Sequence, residues 1–215
     1  MRIDFALRKY TAAFFLIGLL ALAAGCSPIE KQAVRLANAN GCCHSLDQVQ
    51  FKPLESSKET EFKISEESPT FQFEDGKSYF AAYALPQTSA YTKVAVKSTV
   101  QDTFIRDTEQ IFCPSLMFID ENKQILRKEG IGLRYSGPGW ISNPYWFGAA
   151  HIPSGARYII FYTRAEVVGK SVARSAPSAH SEFIDSNGQK VKINVDTTDG
   201  RTPCGQVGEL AVVLR

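Results

Sequence analysis

The chain has 215 residues, 44% of them apolar, and it carries 24 basic and 22 acidic side chains. Three of the basic residues and one acidic residue fall within the first 25 positions, so the remainder carries 21 of each sign and is neutral. A neutral chain gives no electrostatic basis for binding nucleic acid. The length suits one folded domain, and no second apolar run approaches the ~20 residues that a membrane span requires.

The N-terminal segment 1–25 predicts an export signal. Arg2, Arg8 and Lys9 precede an unbroken apolar run, and small residues stand at the end of the segment. This order is typical of a secretory signal and not of a membrane-spanning helix. We therefore expect an exported protein.

Cys26 follows the signal in a pattern of its own. Leu22-Ala23-Ala24-Gly25-Cys26 resembles the cleavage site of bacterial lipoproteins, in which the cysteine is acylated; an ordinary signal cut nearby is the alternative. Several acyl chains anchor a protein stably, so we expect Cys26 to attach the chain to a membrane. Ser27, where Asp is absent from the position after the cysteine, resembles the sorting pattern of outer-membrane lipoproteins. We therefore expect the outer membrane, with the domain facing the periplasm or the cell surface. Residues 26–41 are interpreted as a tether and residues 42–215 as the folded domain.

Four further cysteines, Cys42, Cys43, Cys113 and Cys204, predict a disulfide framework, because an exported chain with an even number of thiols favours disulfides. A trans peptide holds adjacent Cα atoms about 3.8 Å apart, which is short for a disulfide. We therefore expect Cys42 and Cys43 to pair with Cys113 and Cys204, in an order that the sequence leaves open. The spacing fits neither a C-x-x-C redox motif nor a zinc site.

Residues 53–69 are interpreted as an exposed loop with one short strand, and from residue 70 onward the sequence predicts short strands separated by turns. Alternation of apolar and polar residues is clearest over 92–101, and the nearly continuous apolar run 157–163 is typical of a central strand covered on both faces. The interval 171–181 is small and polar, and we interpret it as a loop. Strands are further expected at 61–64, 70–73, 78–85, 115–119, 124–127, 183–184, 191–195 and 209–214. This pattern predicts an all-β fold, a jelly-roll-like antiparallel β-sandwich stapled by disulfides and carried on an N-terminal lipid-anchored tether.

Both tryptophans of the chain lie in the Gly- and Pro-rich interval 137–148. Aromatic faces held by such a backbone suit sugar rings and protein partners alike. The candidate ligand-binding residues are Trp140, Tyr145 and Trp146, with Arg134 and Asn143 as hydrogen-bonding neighbours. In the alternative interpretation, Trp140 and Trp146 close one end of the sandwich, and Trp146 in particular belongs to the core.

No catalytic or cofactor motif is found in the sequence. His44, His151 and His180 do not stand at metal-ligand spacing, and Asp102, Asp107 and Glu109 are close in sequence without a defined separation in space. We therefore expect neither catalysis nor a cofactor or bound metal.

Several segments together resemble one family. They are Cys42-Cys43-x-Ser45-Leu46, Phe51-x-Pro53-Leu54, the run 76–86, Pro114-Ser115-Leu116-x-Phe118-x-Asp120 and the run 158–163. In this order they are similar to the maltose operon periplasmic protein (MalM) family, over roughly residues 42–214. The resemblance implies an envelope protein of carbohydrate uptake without catalysis or cofactor, and it supplies no functional residues.

The resulting expectation is an outer-membrane lipoprotein that serves as a non-catalytic accessory in the transport or binding of maltodextrin-like carbohydrate. Its partners are then the membrane, through the N-terminal lipid, and either an oligosaccharide or an envelope transport protein. The alternative is a structural lipoprotein that docks on a porin or another envelope complex. A solvent-exposed aromatic pair in a concave surface favours the first, and a flat apolar patch favours the second.

Overall fold

The computed structural model describes residues 28–56, 58–87, 91–100, 109–136, 144–173, 180–184, 190–194 and 201–215. Helix α1 spans Pro28–Asn38, and short 3-10 turns occur at Leu46–Gln48 and Ala165–Val167. The strands are β1 (Lys52–Pro53), β2 (Thr60–Ile64), β3 (Thr70–Phe73), β4 (Gly76–Ala84), β5 (Lys93–Thr99), β6 (Ile111–Phe112), β7 (Ser115–Ile119), β8 (Ile125–Gly130), β9 (Arg134–Ser136), β10 (Tyr145–His151), β11 (Tyr158–Tyr162), β12 (Ser171–Ala173), β13 (His180–Ile184), β14 (Lys190–Asn194), β15 (Arg201–Gly205) and β16 (Gly208–Leu214).

Two sheets face each other across the main core. A six-stranded sheet has the order β1-β4-β11-β7-β8, with β3 also paired to β4, and a five-stranded sheet has the order β2-β16-β5-β10-β9. Tyr83, Phe118 and Phe161 of the first sheet pack with Val96 and Val212 of the second. The predicted all-β sandwich is confirmed.

The predicted alternation in β5 is also confirmed. Val94, Val96 and Ser98 are buried, whereas Lys93 is exposed and Lys97 is partly exposed. The buried Ser98 hydroxyl donates to the carbonyl of Phe112 at 2.8 Å, so its polar group is satisfied inside the fold.

Strand β11, in the interior of the six-stranded sheet, is covered on both faces, as the apolar run 157–163 predicted. Ile159 and Phe161 point into the main core, while Ile160 and Tyr162 point to the opposite face. That opposite face is covered by the segment 43–51, whose Val49 is buried there. The N-terminal part of the domain therefore forms an additional layer on this sheet.

Helix α1 lies within the segment interpreted as a tether. Its Leu36 is 5% exposed and belongs to the main core. The Lys77 ammonium donates to the carbonyls of Ala37 at 3.1 Å and of Ala39, at the C-terminal end of the helix. Lysine at a helix C-terminus interacts favourably with the helix dipole. Helix α1 thus packs against the sandwich.

The predicted disulfide connectivity is wrong. Cys42 bonds to Cys43, and Cys113 bonds to Cys204 across 91 residues. Cys204 is paired through its strand with Ile111, two residues before Cys113, so the parallel β6–β15 pairing brings these two cysteines together, with Cα atoms 5.4 Å apart. Cys42 and Cys43 stand at the start of the segment that covers the outer face of the six-stranded sheet, and they form a disulfide with each other. All four cysteines are bonded, as expected.

The interval 171–181, interpreted as a loop, contains strand structure at both ends. β12 pairs antiparallel with β15, and β13 begins at His180 and forms a hairpin with β14. The strands predicted at 183–184 and 191–195 are confirmed for the described residues, which pair with each other. The intervening residues 174–179 lie outside the described ranges.

Candidate functional site

The candidate site lies on the outer face of the five-stranded sheet, where the strand alternation places Tyr145 and Phe147. In β10, Trp146 and Ala150 are buried while Tyr145 and Phe147 point outward, because successive residues of a strand face opposite sides. Phe147 is 46% exposed, which is unusual for an aromatic side chain in the middle of a sheet.

The strand register arranges these side chains in rows across the sheet. Phe147 stands opposite Arg134 of β9 on one side and Lys97 of β5 on the other, and Lys97 stands opposite Ala211 of β16. The central row therefore reads cation, aromatic, cation, alanine. At ~4.8 Å per strand, five strands extend this surface over roughly 19 Å.

The neighbouring row consists of small side chains. Ala149 stands opposite Ala95, and Ala95 stands opposite Val213. Short side chains between taller ones leave a concavity of about 630 Å³, with Tyr145, Phe147, Arg134, Glu59 and Arg215 among the residues that line it. We call it the sheet-face concavity.

The Lys97 ammonium links two of the groups in the concavity. It lies 4.7 Å from the centroid of the Tyr145 ring and 3.9 Å from a carboxylate oxygen of Glu59. The Tyr145 and Phe147 rings are 6.3 Å apart and tilted by 57°. Flat aromatic faces beside charged hydrogen-bonding groups can bind a ligand that has both apolar C–H surfaces and hydroxyl groups.

Two of the five predicted ligand-binding residues lie in this concavity: Arg134 and Tyr145. Trp146 does not, and its prediction as a ligand-contacting residue is corrected here. It is fully buried and packs against Tyr135, with ring centroids 4.8 Å apart, in a core cluster that includes Cys113 and Cys204. The core interpretation applies to Trp146. Trp140 and Asn143 lie outside the described residues.

Sequence reasoning missed Lys97, Glu59 and Arg215 as members of the site. They come from β5, from the residue before β2 and from the end of the chain, and only the strand order brings them together. The alternation over 92–101 predicts only that Lys97 lies on the exposed face of its strand.

The residues considered for chemistry do not form a cluster in the described part of the chain. Asp102 and Asp107 lie outside it, and the same holds for the side chain of His180. His44 and His151 are exposed, one before the 3-10 turn at 46–48 and the other at the end of β10. Among the described residues, no group of three or more His, Cys, Asp or Glu side chains is arranged to hold a metal ion. Nor does any helix in these ranges have the length and apolar character of a membrane span.

The described residues form a β-sandwich with a concavity on the outer face of one sheet. The family model described as maltose operon periplasmic protein precursor (MalM) matches residues 75–206, more than half of the chain. The chain belongs to the MalM family. By this description the family is periplasmic, which supports a location in the cell envelope and an association with the maltose operon. Searches of curated proteins and of solved structures gave no match.

Proposed function

We propose that the protein is a non-catalytic accessory in the handling of maltodextrin-like carbohydrate, and that it binds oligosaccharide in the sheet-face concavity. The observation that carries this proposal is the exposed Phe147 with the partly exposed Tyr145 beside the alanine row, flanked by Arg134 and Lys97. Membership of the MalM family supports the link to maltose-type sugars.

The chemistry of the concavity matches that of a glucan. Aromatic rings pack against the apolar C–H face of a pyranose ring, while charged and polar side chains bond to its hydroxyl groups. The concavity crosses four strands and reaches Glu59 beside β2, so it can take a short chain of sugars instead of a single ring. Binding without catalysis needs no acid–base pair in the concavity.

The proposal includes a lipoprotein anchored at Cys26 in the outer membrane, with the domain in the periplasm or at the surface. The match of the sequence before Cys26 to a lipoprotein cleavage site supports this. A membrane-attached domain with a shallow sugar site would hold oligosaccharide close to the membrane where uptake begins.

Isothermal titration calorimetry with maltotriose and longer maltodextrins tests the function. The full-length protein should be held in a detergent without a sugar head group, because a maltoside would compete for the site. We expect saturable binding, and Phe147→Ala should weaken it by about 1–2 kcal/mol, or roughly 5- to 30-fold.

Leu126→Ala is the matched control, since Leu126 is 41% exposed but lies on β8 of the other sheet. It should leave the affinity unchanged. A flat titration with every maltodextrin would refute sugar binding and favour the docking role on a porin or another envelope complex. Equal losses in the two variants would refute the assignment to the concavity.

A further inference from the structure

The outer edge of β4 contains an opening in the six-stranded sheet. β3 pairs with β4 as far as Tyr79, and β1 pairs with it from Tyr83 onward. Residues 80–82 lie between these two partner strands, and at the β3 end the Phe80 N–H donates to the carbonyl of Pro69 at 3.0 Å. Three residues of strand span about 10 Å, shorter than an ordinary strand of five or six residues. The opening therefore suits a small molecule better than an added peptide strand.

A pocket of about 410 Å³ enters the protein at this opening, and we call it the edge pocket. Its inner wall is aromatic: the rings of Phe62 and Tyr83 have centroids 5.0 Å apart, and Phe80 also lines it. The volume lies in the range of small-molecule sites, which are mostly apolar with a few polar groups.

The Cys42–Cys43 disulfide forms part of the rim of the edge pocket. The Cys42 N–H donates to the carbonyl of Thr70 at 2.8 Å, which fixes the pair to the start of β3. A bond between adjacent cysteines closes a small ring that includes their peptide, so neither side chain can rotate away. The two sulfur atoms form a fixed, polarisable apolar surface that can contact a ligand ring at little cost in conformational entropy.

The polar groups of the edge pocket favour an anion. Lys52 and Lys63 line it together with Gln48 and Gln50, and none of the described lining residues carries a carboxylate. Lys63 lies 4.0 Å from a carboxylate oxygen of Glu209, whereas Lys52 forms no ion pair in the described part of the chain. Lys52 is therefore the cation available to a ligand.

We propose that the edge pocket binds a small acidic sugar, such as a hexuronic acid. The ring packs against the disulfide and the aromatic wall, the hydroxyl groups bond to the glutamine amides, and the carboxylate lies at Lys52. The edge pocket and the sheet-face concavity share no lining residue, so this site is independent of the proposed maltodextrin site.

The test is calorimetric titration of the full-length protein with glucuronate and, as the neutral counterpart, glucose. We expect saturable glucuronate binding and at least about tenfold weaker glucose binding, because a charge-assisted hydrogen bond is absent with glucose. Lys52→Gln should weaken glucuronate by about tenfold as well. Lys170→Gln is the matched control: Lys170 is exposed, lies outside the edge pocket and should not affect binding.

A double variant, Cys42→Ala/Cys43→Ala, tests the disulfide wall. It should weaken glucuronate binding several-fold while circular dichroism shows the parent fold. The absence of saturable glucuronate binding overturns the proposal, and so does an unchanged affinity in Lys52→Gln. Equal affinity for glucose overturns the acidic assignment. Phe147→Ala should leave glucuronate binding intact, so this proposal and the maltodextrin proposal fail separately.

Discussion

The two disulfides should differ strongly in their contribution to stability, because they close loops of very different length. The Cys113–Cys204 bond spans 91 residues, and the Cys42–Cys43 bond spans one. In the chain-entropy model a disulfide stabilises by restricting the unfolded chain, and the effect grows with the logarithm of the loop length. The long loop gives about 4.6 kcal/mol at 25 °C and the vicinal pair only about 1 kcal/mol.

The perturbation is a pair of double variants, Cys113→Ala/Cys204→Ala and Cys42→Ala/Cys43→Ala. Alanine is chosen because Cys113 and Cys204 are 9% and 3% exposed, and a buried serine hydroxyl would add a desolvation cost of its own. We expect the first variant to lose about 4–5 kcal/mol of unfolding free energy, a large part of the usual 5–15 kcal/mol, and the second to lose about 1 kcal/mol.

Urea denaturation followed by tryptophan fluorescence measures both losses. The buried Trp146 lies in the same core cluster as Cys113 and Cys204, so its emission should report unfolding of that region. The m-value should be compared as well, since a changed slope would indicate a changed unfolded state. Equal losses in the two variants, or a smaller loss for the 113–204 pair, would refute the loop-length reasoning.

Three further outcomes are expected. A Cβ atom at Gly148 would lie 2.3 Å from the Ile131 side chain and 2.7 Å from the Gly132 carbonyl oxygen, so Gly148→Ala should cost about 1–3 kcal/mol in urea denaturation. Burial raises the pKa of Tyr83 from 10.0 to about 12, so its stabilising contribution is complete below pH 10 and is lost as pH rises towards 12. Tyr83→Phe should therefore show a shallower loss of stability over that interval when unfolding is followed by circular dichroism. Cys26→Ser should move the protein from the membrane fraction to the soluble fraction, and continued sedimentation with membranes would show that lipidation is not the anchor.

The strands could be predicted from the sequence because their signal is local. In β5 the alternation of Val94 and Val96 with Lys93 and Lys97 states directly which side chains face the core. In β7 and β8 the intervening Asp120-Glu121-Asn122-Lys123 predicts a hairpin, and the Asp120 carboxylate accepts hydrogen bonds from the backbone N–H groups of Asn122 and Gln124. Both signals lie within a few residues of the structure that they determine.

The alternation of side chains along a strand also accounts for the burial of Trp146. Tyr145 and Phe147 flank it in one strand, and successive residues of a strand face opposite sides of the sheet. Trp146 therefore faces the core if Tyr145 and Phe147 face solvent. The prediction that Tyr145 and Trp146 bind a ligand together does not take this alternation into account. Which of the two faces of β10 points to solvent depends on its pairing with β5. In this pairing Tyr145 and Phe147 lie on the outer face of the sheet.

The rest of the concavity depends on pairings between distant strands. Lys97 meets Phe147 through the β5–β10 register, and Ala211 meets Lys97 through the β5–β16 register, across more than one hundred residues of sequence. The disulfide pairing was predicted wrongly for the same reason, because it too depends on the pairing of distant strands. The short Cα separation of adjacent cysteines was a sound local consideration, but the parallel β6–β15 pairing, which no local pattern indicates, decided the partners.

The two sheets differ in what covers them, and this difference separates the two proposed sites. The segment 43–51 covers the central part of the outer face of the six-stranded sheet, so the side chains there are used for packing, and the β4 edge has its opening at residues 80–82. The outer face of the five-stranded sheet carries the exposed Phe147 and the alanine row. A broad surface therefore belongs to one sheet and suits an extended oligosaccharide, whereas the smaller, cationic pocket at the edge of the other suits a single small ring.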